Sequence, residues 1–141
     1  MWRRLLLACR RWFTGGSAGE QGERRAAEWL HRKLGYTIVA RNWRNPRDRR
    51  EEIDLVCRDG DVLVFVEVKA RAAGALVPGY YAVNERKKRV MRRAIQAYLR
   101  ALSPKPSTFR FDVVEIELAD GREPGVLHFA NIPLFSKHYR G

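Results

Sequence analysis

Residues 52–69 read EIDLVCRDGDVLVFVEVK, and this stretch decides the fold. Two runs of aliphatic residues flank Asp59-Gly60, a dipeptide typical of tight β-hairpin turns. The runs therefore predict two antiparallel strands, residues 53–57 and 62–69. Three ionisable residues interrupt the otherwise apolar pattern: Asp54, Glu67 and Lys69. Buried charges are unfavourable unless they are paired or bind an ion, so these three mark a candidate site.

The register of this hairpin decides whether the three side chains meet. With a two-residue loop at Asp59-Gly60, Asp54 lies opposite Phe65. Because side chains alternate along a strand, the three ionisable residues then share one face, with the carboxylates of Asp54 and Glu67 as diagonal neighbours roughly 7–8 Å apart. A divalent ion bound at about 2.0–2.1 Å by each carboxylate fits that gap. A three-residue loop would place Asp54 on the opposite face, whereas a four-residue loop keeps the same parity.

The opposite face of the hairpin is apolar throughout and predicts the core: Ile53, Leu55, Cys57, Val62, Val64, Val66 and Val68. The competing interpretation treats Glu67 and Lys69 as an ion pair at a strand end and Asp54 as a turn residue. It explains each residue alone, but three ionisable residues on one face of an apolar hairpin favour a site.

The whole chain of 141 residues is strongly basic, with 28 Lys and Arg against 16 Asp and Glu, a net charge of +12 and a pI near 10.5. This balance favours a nucleic acid as partner, ahead of an anionic membrane surface or a merely soluble basic protein. Cys9 and Cys57 form neither a disulfide framework nor a metal-spacing motif, so we expect a cytoplasmic protein.

The remaining pattern predicts a single α/β domain at residues 18–135, followed by a tail at 136–141. Its elements are a helix at 18–34, a strand at 36–43, the hairpin, a helix at 84–102 with Asn84 as N-cap, a strand at 109–118 and a fifth strand within 126–132. Charged residues 44–51 and residues 70–82 are expected to be loops. The order α-β-β-β-α-β indicates a mixed central sheet flanked by helices.

Residues 1–17 are predicted to be a basic amphipathic extension and linker before this domain. One helical face carries large apolar residues: Trp2, Leu5, Leu6, Cys9, Trp12 and Phe13. The apolar run is too short to span a membrane, so it predicts either a membrane-surface helix or a short helix that packs on the domain. On the first helix of the domain, Glu23 extends the apolar stripe and is the acid most expected to face the core.

The chain resembles the PD-(D/E)XK nucleases, which share the restriction-endonuclease-like fold and include Holliday junction resolvases. Asp54, followed about a dozen residues later by Glu67-Val68-Lys69, matches their short motif. The wider set of motifs is similar to the YraN-like family of small bacterial proteins, for which an endonuclease activity has been suggested: Gly22-Glu23, Gly35-Tyr36, Arg41-Asn42-Trp43-Arg44, Glu52-Ile53-Asp54-Leu55-Val56, Val64-Phe65-Val66-Glu67-Val68-Lys69 and Arg110-Phe111-Asp112-Val113-Val114. Glu51 departs from that family, which usually has glycine at this position.

The resemblance implies Mg²⁺- or Mn²⁺-dependent hydrolysis of phosphodiester bonds, with Asp54, Glu67 and the Val68 carbonyl as metal ligands and Lys69 as the catalytic lysine. Glu23 matches an acid that related junction resolvases carry on their first helix. Those resolvases act as dimers, so the resemblance favours a homodimer. It leaves open whether the substrate is DNA or RNA, and which structure is cut.

Basic residues cluster at two places that are expected to bind the nucleic acid backbone: Arg44, Arg47, Arg49 and Arg50 in the predicted loop, and Arg86, Lys87, Lys88, Arg89, Arg92 and Arg93 on the second helix. Cations in the first half of a helix oppose its dipole, so phosphate contact explains them better than intramolecular stability does. The alternatives are a non-catalytic nucleic-acid-binding module with a nuclease-like fold and, with less support, a membrane-associated adaptor.

Overall fold

The computed structural model describes residues 16–75, 83–119, 121 and 123–139. The elements are, in chain order, α1 Ala18–Leu34, β1 Thr37–Asn45, β2 Asp48–Asp59, β3 Val62–Ala72, α2 Glu85–Ala101, β4 Thr108–Leu118 and β5 Val126–Phe129. The five strands form one sheet in the order β1-β2-β3-β4-β5. Only the pair β3–β4, which α2 connects, is parallel among these strands. The predicted single α/β domain with a mixed sheet is therefore confirmed.

Both helices begin and end where local chemistry favours it. Ser17 and Glu20 form a reciprocal capping box at the start of α1, and Gly35 ends that helix in the left-handed conformation at φ 72°. The predicted cap of α2 is confirmed, because the Asn84 side chain accepts a hydrogen bond from the Lys87 amide at 2.9 Å. That cap fixes the first turn of α2, which contains Lys87.

The two helices cover opposite faces of the sheet. Helix α1 packs on one face through Ala26, Ala27 and Leu30, and α2 packs on the other through Met91, Ile95 and Leu99. Each face of the β2–β3 hairpin is thus buried. The core therefore extends beyond the apolar face that the sequence predicted, because the face that carries Phe65 also lies under α2.

The hairpin register also differs from the predicted one. Val56 pairs with Phe65 and Asp59 with Val62, so the two-residue loop is Gly60-Asp61 rather than Asp59-Gly60. Gly60 takes φ 59°, a conformation that favours glycine at the first central position of a II′-type hairpin turn. The slip amounts to two residues, so the parity on which the shared face depends is retained. The observed pairing begins at Leu55 and Val66, and Phe65 pairs with Val56, so Asp54 does not lie opposite Phe65 as predicted.

Residues 44–51, predicted to be a loop, instead belong mostly to strands β1 and β2. Asn45 pairs with Asp48 across a two-residue turn at Pro46 and Arg47. The predicted loop was wrong because β1 is an edge strand, and exposed charged side chains are well tolerated on an edge strand. Strand β3 likewise extends to Ala72 because it pairs with β4 along its length, and β5 is shorter than predicted.

The chain outside the predicted domain is described only in part. Most of the predicted extension and its amphipathic helix, residues 1–15, lies outside the described residues. Ser17, predicted to be the end of the linker, caps α1 instead. In the C-terminal segment, the Tyr139 ring stacks on Phe135 and contacts Phe109. Neither helix that the structure describes is long and apolar enough to cross a membrane.

Candidate functional site

Asp54 lies where the regular alternation of β2 breaks. Ile53 packs in the core under α2, whereas Leu55, two residues later, packs in the core under α1. Strict alternation would put both on the same face. At this irregularity the Asp54 carboxylate accepts a hydrogen bond from the Val68 amide at 2.8 Å. The side chain of Asp54 is therefore held against the backbone of β3, one residue beyond Glu67.

Burial dominates the electrostatics of Asp54. Together with the nearby carboxylates of Glu67 and Glu23, it raises the pKa of Asp54 to about 8, against the Val68 hydrogen bond and the charge of Lys87. A carboxylate that is this unfavourable to ionise is one that a cation would stabilise.

Glu67 is buried in the middle of β3, with only 3% of its surface exposed. Its Oε1 lies 3.2 Å from the Lys69 Nζ and also 3.2 Å from the Lys87 Nζ. Its Oε2 is buried and has no hydrogen-bond partner within the part of the chain that the structure describes. An unsatisfied buried carboxylate oxygen is rare in folded proteins and calls for an explanation such as an ion.

Glu23 reaches the site from α1. The preceding residue, Gly22, lies so close to β3 that a Cβ built on it would stand 2.8 Å from the Ala70 Cβ. Burial raises the pKa of Glu23, a hydrogen bond with the Asn42 side chain lowers it, and the charges of Glu52, Glu20 and Glu67 raise it again. The structure therefore brings together all four residues that the sequence predicted to be catalytic: Glu23, Asp54, Glu67 and Lys69.

The residues present fit a hard divalent cation. Asp54 and Glu67 supply two carboxylates, Glu67 has an orphaned oxygen, and Asp54 has a raised pKa. Among the described residues, no three His, Cys, Asp or Glu side chains are grouped closely enough to hold a metal alone. Mg²⁺ needs no such cage, because it usually binds through one or two carboxylates and keeps several waters.

Glu51 stands where the resembling family has glycine, and its carboxylate is held by a neighbouring side chain. It is largely buried, and its Oε2 accepts a hydrogen bond from the Asn45 Nδ2 at 2.7 Å. The extra acid therefore fastens the β1–β2 turn, and this bond explains how an additional carboxylate is tolerated beside the site.

A basic cleft of about 690 Å³ opens beside Lys69. It lies between the β1–β2 hairpin and the first half of α2. Its lining contains six cationic side chains: Arg50, Lys69, Arg86, Lys87, Arg89 and Arg93. Asp48 and Glu51 are the acids in the lining, and each already has a partner, Arg50 and Asn45 respectively. The cleft can therefore attract a polyanion toward Glu67.

The other predicted nucleic-acid-binding residues do not line this cleft. Arg44 pairs with Glu52 at 3.3 Å, Lys88 pairs with Glu85 at 3.7 Å, and Arg92 donates a hydrogen bond to the Leu134 carbonyl. Arg47 lines a separate hollow beside Trp43, and Arg49 is exposed. The structure thus separates the ten predicted residues into a group at the cleft and a group elsewhere.

Two residues of the site were missed or given another role from sequence. Lys87 was predicted to bind nucleic acid, yet its ammonium contacts Glu67. A lysine in the first helical turn, where a cation opposes the dipole, was the available signal for a buried acidic partner. Asn42, which takes φ 48° and hydrogen-bonds Glu23, lies in a quoted motif but had no assigned role.

A second polar network lies on the other side of β4. Asp112 is fully buried and accepts hydrogen bonds from Arg110, His128 and the Asn131 amide. Arg110 also pairs with Asp59 at 3.0 Å. These bonds join β4 to β5 and to the β2–β3 turn, so the buried charge of Asp112 is explained by a structural role.

The comparisons with known proteins agree with one another. A family model described as "Uncharacterised protein family UPF0102" matches residues 22–116. A UPF0102 protein of Symbiobacterium thermophilum is 48% identical over 105 residues, which cover 74% of this chain and 86% of that protein. One of Anaeromyxobacter dehalogenans is 43% identical over 111 residues, covering 79% of each chain. One of Geobacter metallireducens is 38% identical over 115 residues, covering 82% and 90%.

Proposed function

The chain belongs to the UPF0102 family, and from that premise we propose that it is a metal-dependent endonuclease that hydrolyses phosphodiester bonds in DNA. The observation that carries the proposal is the buried Glu67, whose Oε2 is unpaired among the described residues and whose Oε1 meets two lysines at the edge of a basic cleft. The arrangement supports the family resemblance to PD-(D/E)XK nucleases.

In this proposal Asp54, Glu67 and the Val68 carbonyl hold Mg²⁺ or Mn²⁺. When bound, the cation would stabilise negative charge on the phosphate and make a nearby water more acidic. The Val68 amide fixes Asp54 through its 2.8 Å hydrogen bond, so this carboxylate is preorganised. The low exposure of Glu67 excludes competing water from its carboxylate.

Lys69 and Glu23 have separate roles in the proposal. The Lys69 Nζ lies 3.2 Å from Glu67 and 26% of its side chain is exposed, so it can reach both the carboxylate and a phosphate in the cleft. There it stabilises the additional negative charge of the transition state. Glu23, with its raised pKa and its bond to Asn42, is suited to exchange a proton with water.

The cleft supports recognition of the phosphate backbone rather than of base sequence. Its cations are arginines and lysines, and charge alone gives sequence-independent binding. We therefore propose a structure-selective or non-specific enzyme that acts on DNA in the cytoplasm. A homodimer would supply two sites where both strands are cut.

Two observations favour a second candidate, a nucleic-acid-binding module without catalysis. Glu67 already meets two lysines, and the described residues contain no three-ligand metal cluster. In such a module the acids would serve only to hold the lysines in place. The two candidates share the basic cleft and differ in the need for a metal.

A substrate panel separates the two candidates. Purified protein is incubated with branched, flap and linear DNA, with Mg²⁺, Mn²⁺ or EDTA, while binding to the same DNA is measured by fluorescence anisotropy. The nuclease proposal predicts metal-dependent cleavage of at least one substrate. Binding without cleavage under every metal condition supports the binding module and contradicts the nuclease.

A further inference from the structure

Lys87 occupies an unusual place for a cation. It lies in the first turn of α2, where its own amide donates to the Asn84 cap, and a positive charge there opposes the helix dipole. Yet its Nζ lies 3.2 Å from Oε1 of the buried Glu67. The contact, rather than the helix, explains why a lysine is favoured at this position.

The charge of Lys87 also acts on the second carboxylate, Asp54. Its charge opposes the rise in the pKa of Asp54 that burial and Glu67 cause. Lys87 therefore places a positive charge near both acids that would bind a cation. Within the described residues, the other lysine at Glu67 is Lys69, which comes from the same strand as Glu67 itself.

The two lysines differ in what they can do when a metal arrives. Lys69 is fixed two residues from Glu67 on β3, whereas Lys87 reaches the carboxylate from a separate helix across the cleft. About 35% of the Lys87 side chain is exposed, and the residue lines the basic cleft. Its flexible four-carbon side chain can leave Glu67 while the capped helix turn stays in place.

We infer that Lys87 is a positioning residue that holds the cation position between Asp54 and Glu67, leaves it when a divalent metal binds, and then contacts a phosphate in the cleft. This inference rests on the proposed nuclease site. It makes metal and DNA binding cooperative, because the metal frees a lysine for DNA. By linkage, DNA strengthens metal binding by the same factor.

The test measures Mn²⁺ binding by isothermal titration calorimetry without DNA, in wild type, Lys87→Met and Lys88→Met. Lys88 is a matched control, since it is the adjacent residue, carries the same charge and pairs with Glu85 rather than Glu67. We expect Lys87→Met to tighten Mn²⁺ binding by about tenfold, within the usual range of coupling between sites. Lys88→Met should leave it nearly unchanged, and Lys87→Arg should return it toward wild type. Circular dichroism confirms that each variant is folded.

The second readout is DNA affinity with and without Ca²⁺, which replaces Mg²⁺ for binding. Wild type and Lys88→Met should gain affinity on adding Ca²⁺, and Lys87→Met should lose most of that gain. The inference is overturned if Mn²⁺ binds Lys87→Met and Lys88→Met equally well, or binds Lys87→Met more weakly than wild type. The nuclease proposal then still stands if wild type cleaves DNA. If neither wild type nor Lys87→Met binds Mn²⁺, both proposals are wrong.

Discussion

At the scale of single residues, the site consists of carboxylates that the fold keeps in an unfavourable state. Glu67 has an oxygen without a partner among the described residues, and Asp54 has a pKa of about 8. Asp54 is held by one backbone amide but faces two other acids. Carboxylates in this state lower the stability of the fold and are kept because function requires them. Replacing one should therefore raise stability while activity is lost.

The first prediction concerns Asp54→Asn. The folded pKa of Asp54 lies above its ordinary value of 3.8, so the folded chain binds the proton more tightly than the unfolded chain. The contribution of Asp54 to stability therefore falls as pH rises from about 4 to about 8. Asparagine removes this titration and keeps an oxygen for the Val68 amide. In EDTA, the melting temperature of Asp54→Asn should exceed that of wild type at pH 8, while cleavage is lost.

The control for this prediction is pH itself. Near pH 4 the wild-type carboxyl group is protonated in the folded protein, so the two melting temperatures should converge. A variant that is less stable than wild type at pH 8, or equally displaced at both pH values, would show that Asp54 is not held at a raised pKa.

At the scale of elements, α1 positions Glu23 by lying very close to β3. Gly22 is buried, and a Cβ there would meet the Ala70 Cβ at 2.8 Å, closer than such atoms pack. Because Ala70 is fixed to the backbone of β3, the helix itself would have to shift. The close contact therefore sets the height of Glu23 above the sheet.

The second prediction is that Gly22→Ala destabilises the protein by about 1–3 kcal/mol, although alanine is the better helix former. The displaced helix should also lower the cleavage rate through Glu23. Chemical denaturation and initial rates measure the two effects. The control is Gly19→Ala, in the same helix, where a Cβ would have only Ser17 Oγ nearby, at 3.8 Å. An equal loss of stability in both variants would contradict the argument.

The elements were predictable where the pattern was regular. The apolar stripe of α1 and the Asn84 cap predicted both helices. The hairpin pattern predicted two strands, and the parity of their register agrees with the structure. The exact turn was misplaced because Asp59-Gly60 and Gly60-Asp61 both read as turns. The strand character of residues 44–51 was hidden because charges on an exposed edge strand resemble a loop.

The site was predictable in its members and not in all its contacts. Asp54, Glu67 and Lys69 stood out as charges within an apolar hairpin. The contact of Lys87 with Glu67 depends on where α2 crosses the sheet, and no local pattern contains that distance. The bond between Asn42 and Glu23 likewise joins β1 to α1 and depends on how the helix packs on the sheet.

At the scale of the whole molecule, the positive charge is divided between two faces. The cleft beside α2 contains Arg86 and Arg89, whereas Arg32 and Lys33 lie at the end of α1, which covers the opposite face of the sheet. Only the first group is close to Glu67. If net charge alone bound DNA, both groups would contribute equally.

The third prediction compares two double variants of equal net charge. Arg86→Ala/Arg89→Ala should weaken DNA binding and make the slope of log K against log salt shallower by about 2, since each phosphate contact contributes about 0.9. Arg32→Ala/Lys33→Ala should change the slope by less than about 1. Anisotropy titrations at several salt concentrations measure both, and equal slopes would place DNA elsewhere than the cleft.

The proposed role of Glu67 is to hold a divalent metal for phosphodiester hydrolysis, and the most direct test of this role is the initial rate of DNA cleavage against Mg²⁺ concentration. The substrate is the one that the panel identifies, and the proteins are wild type, Glu67→Gln and the control Glu85→Gln, which removes an exposed acid from α2. If Glu67 holds the metal, the rate should rise and saturate for wild type and Glu85→Gln, and should be lower by about a hundredfold or more for Glu67→Gln. Equal rates for wild type and Glu67→Gln, or cleavage that persists in EDTA, would contradict it.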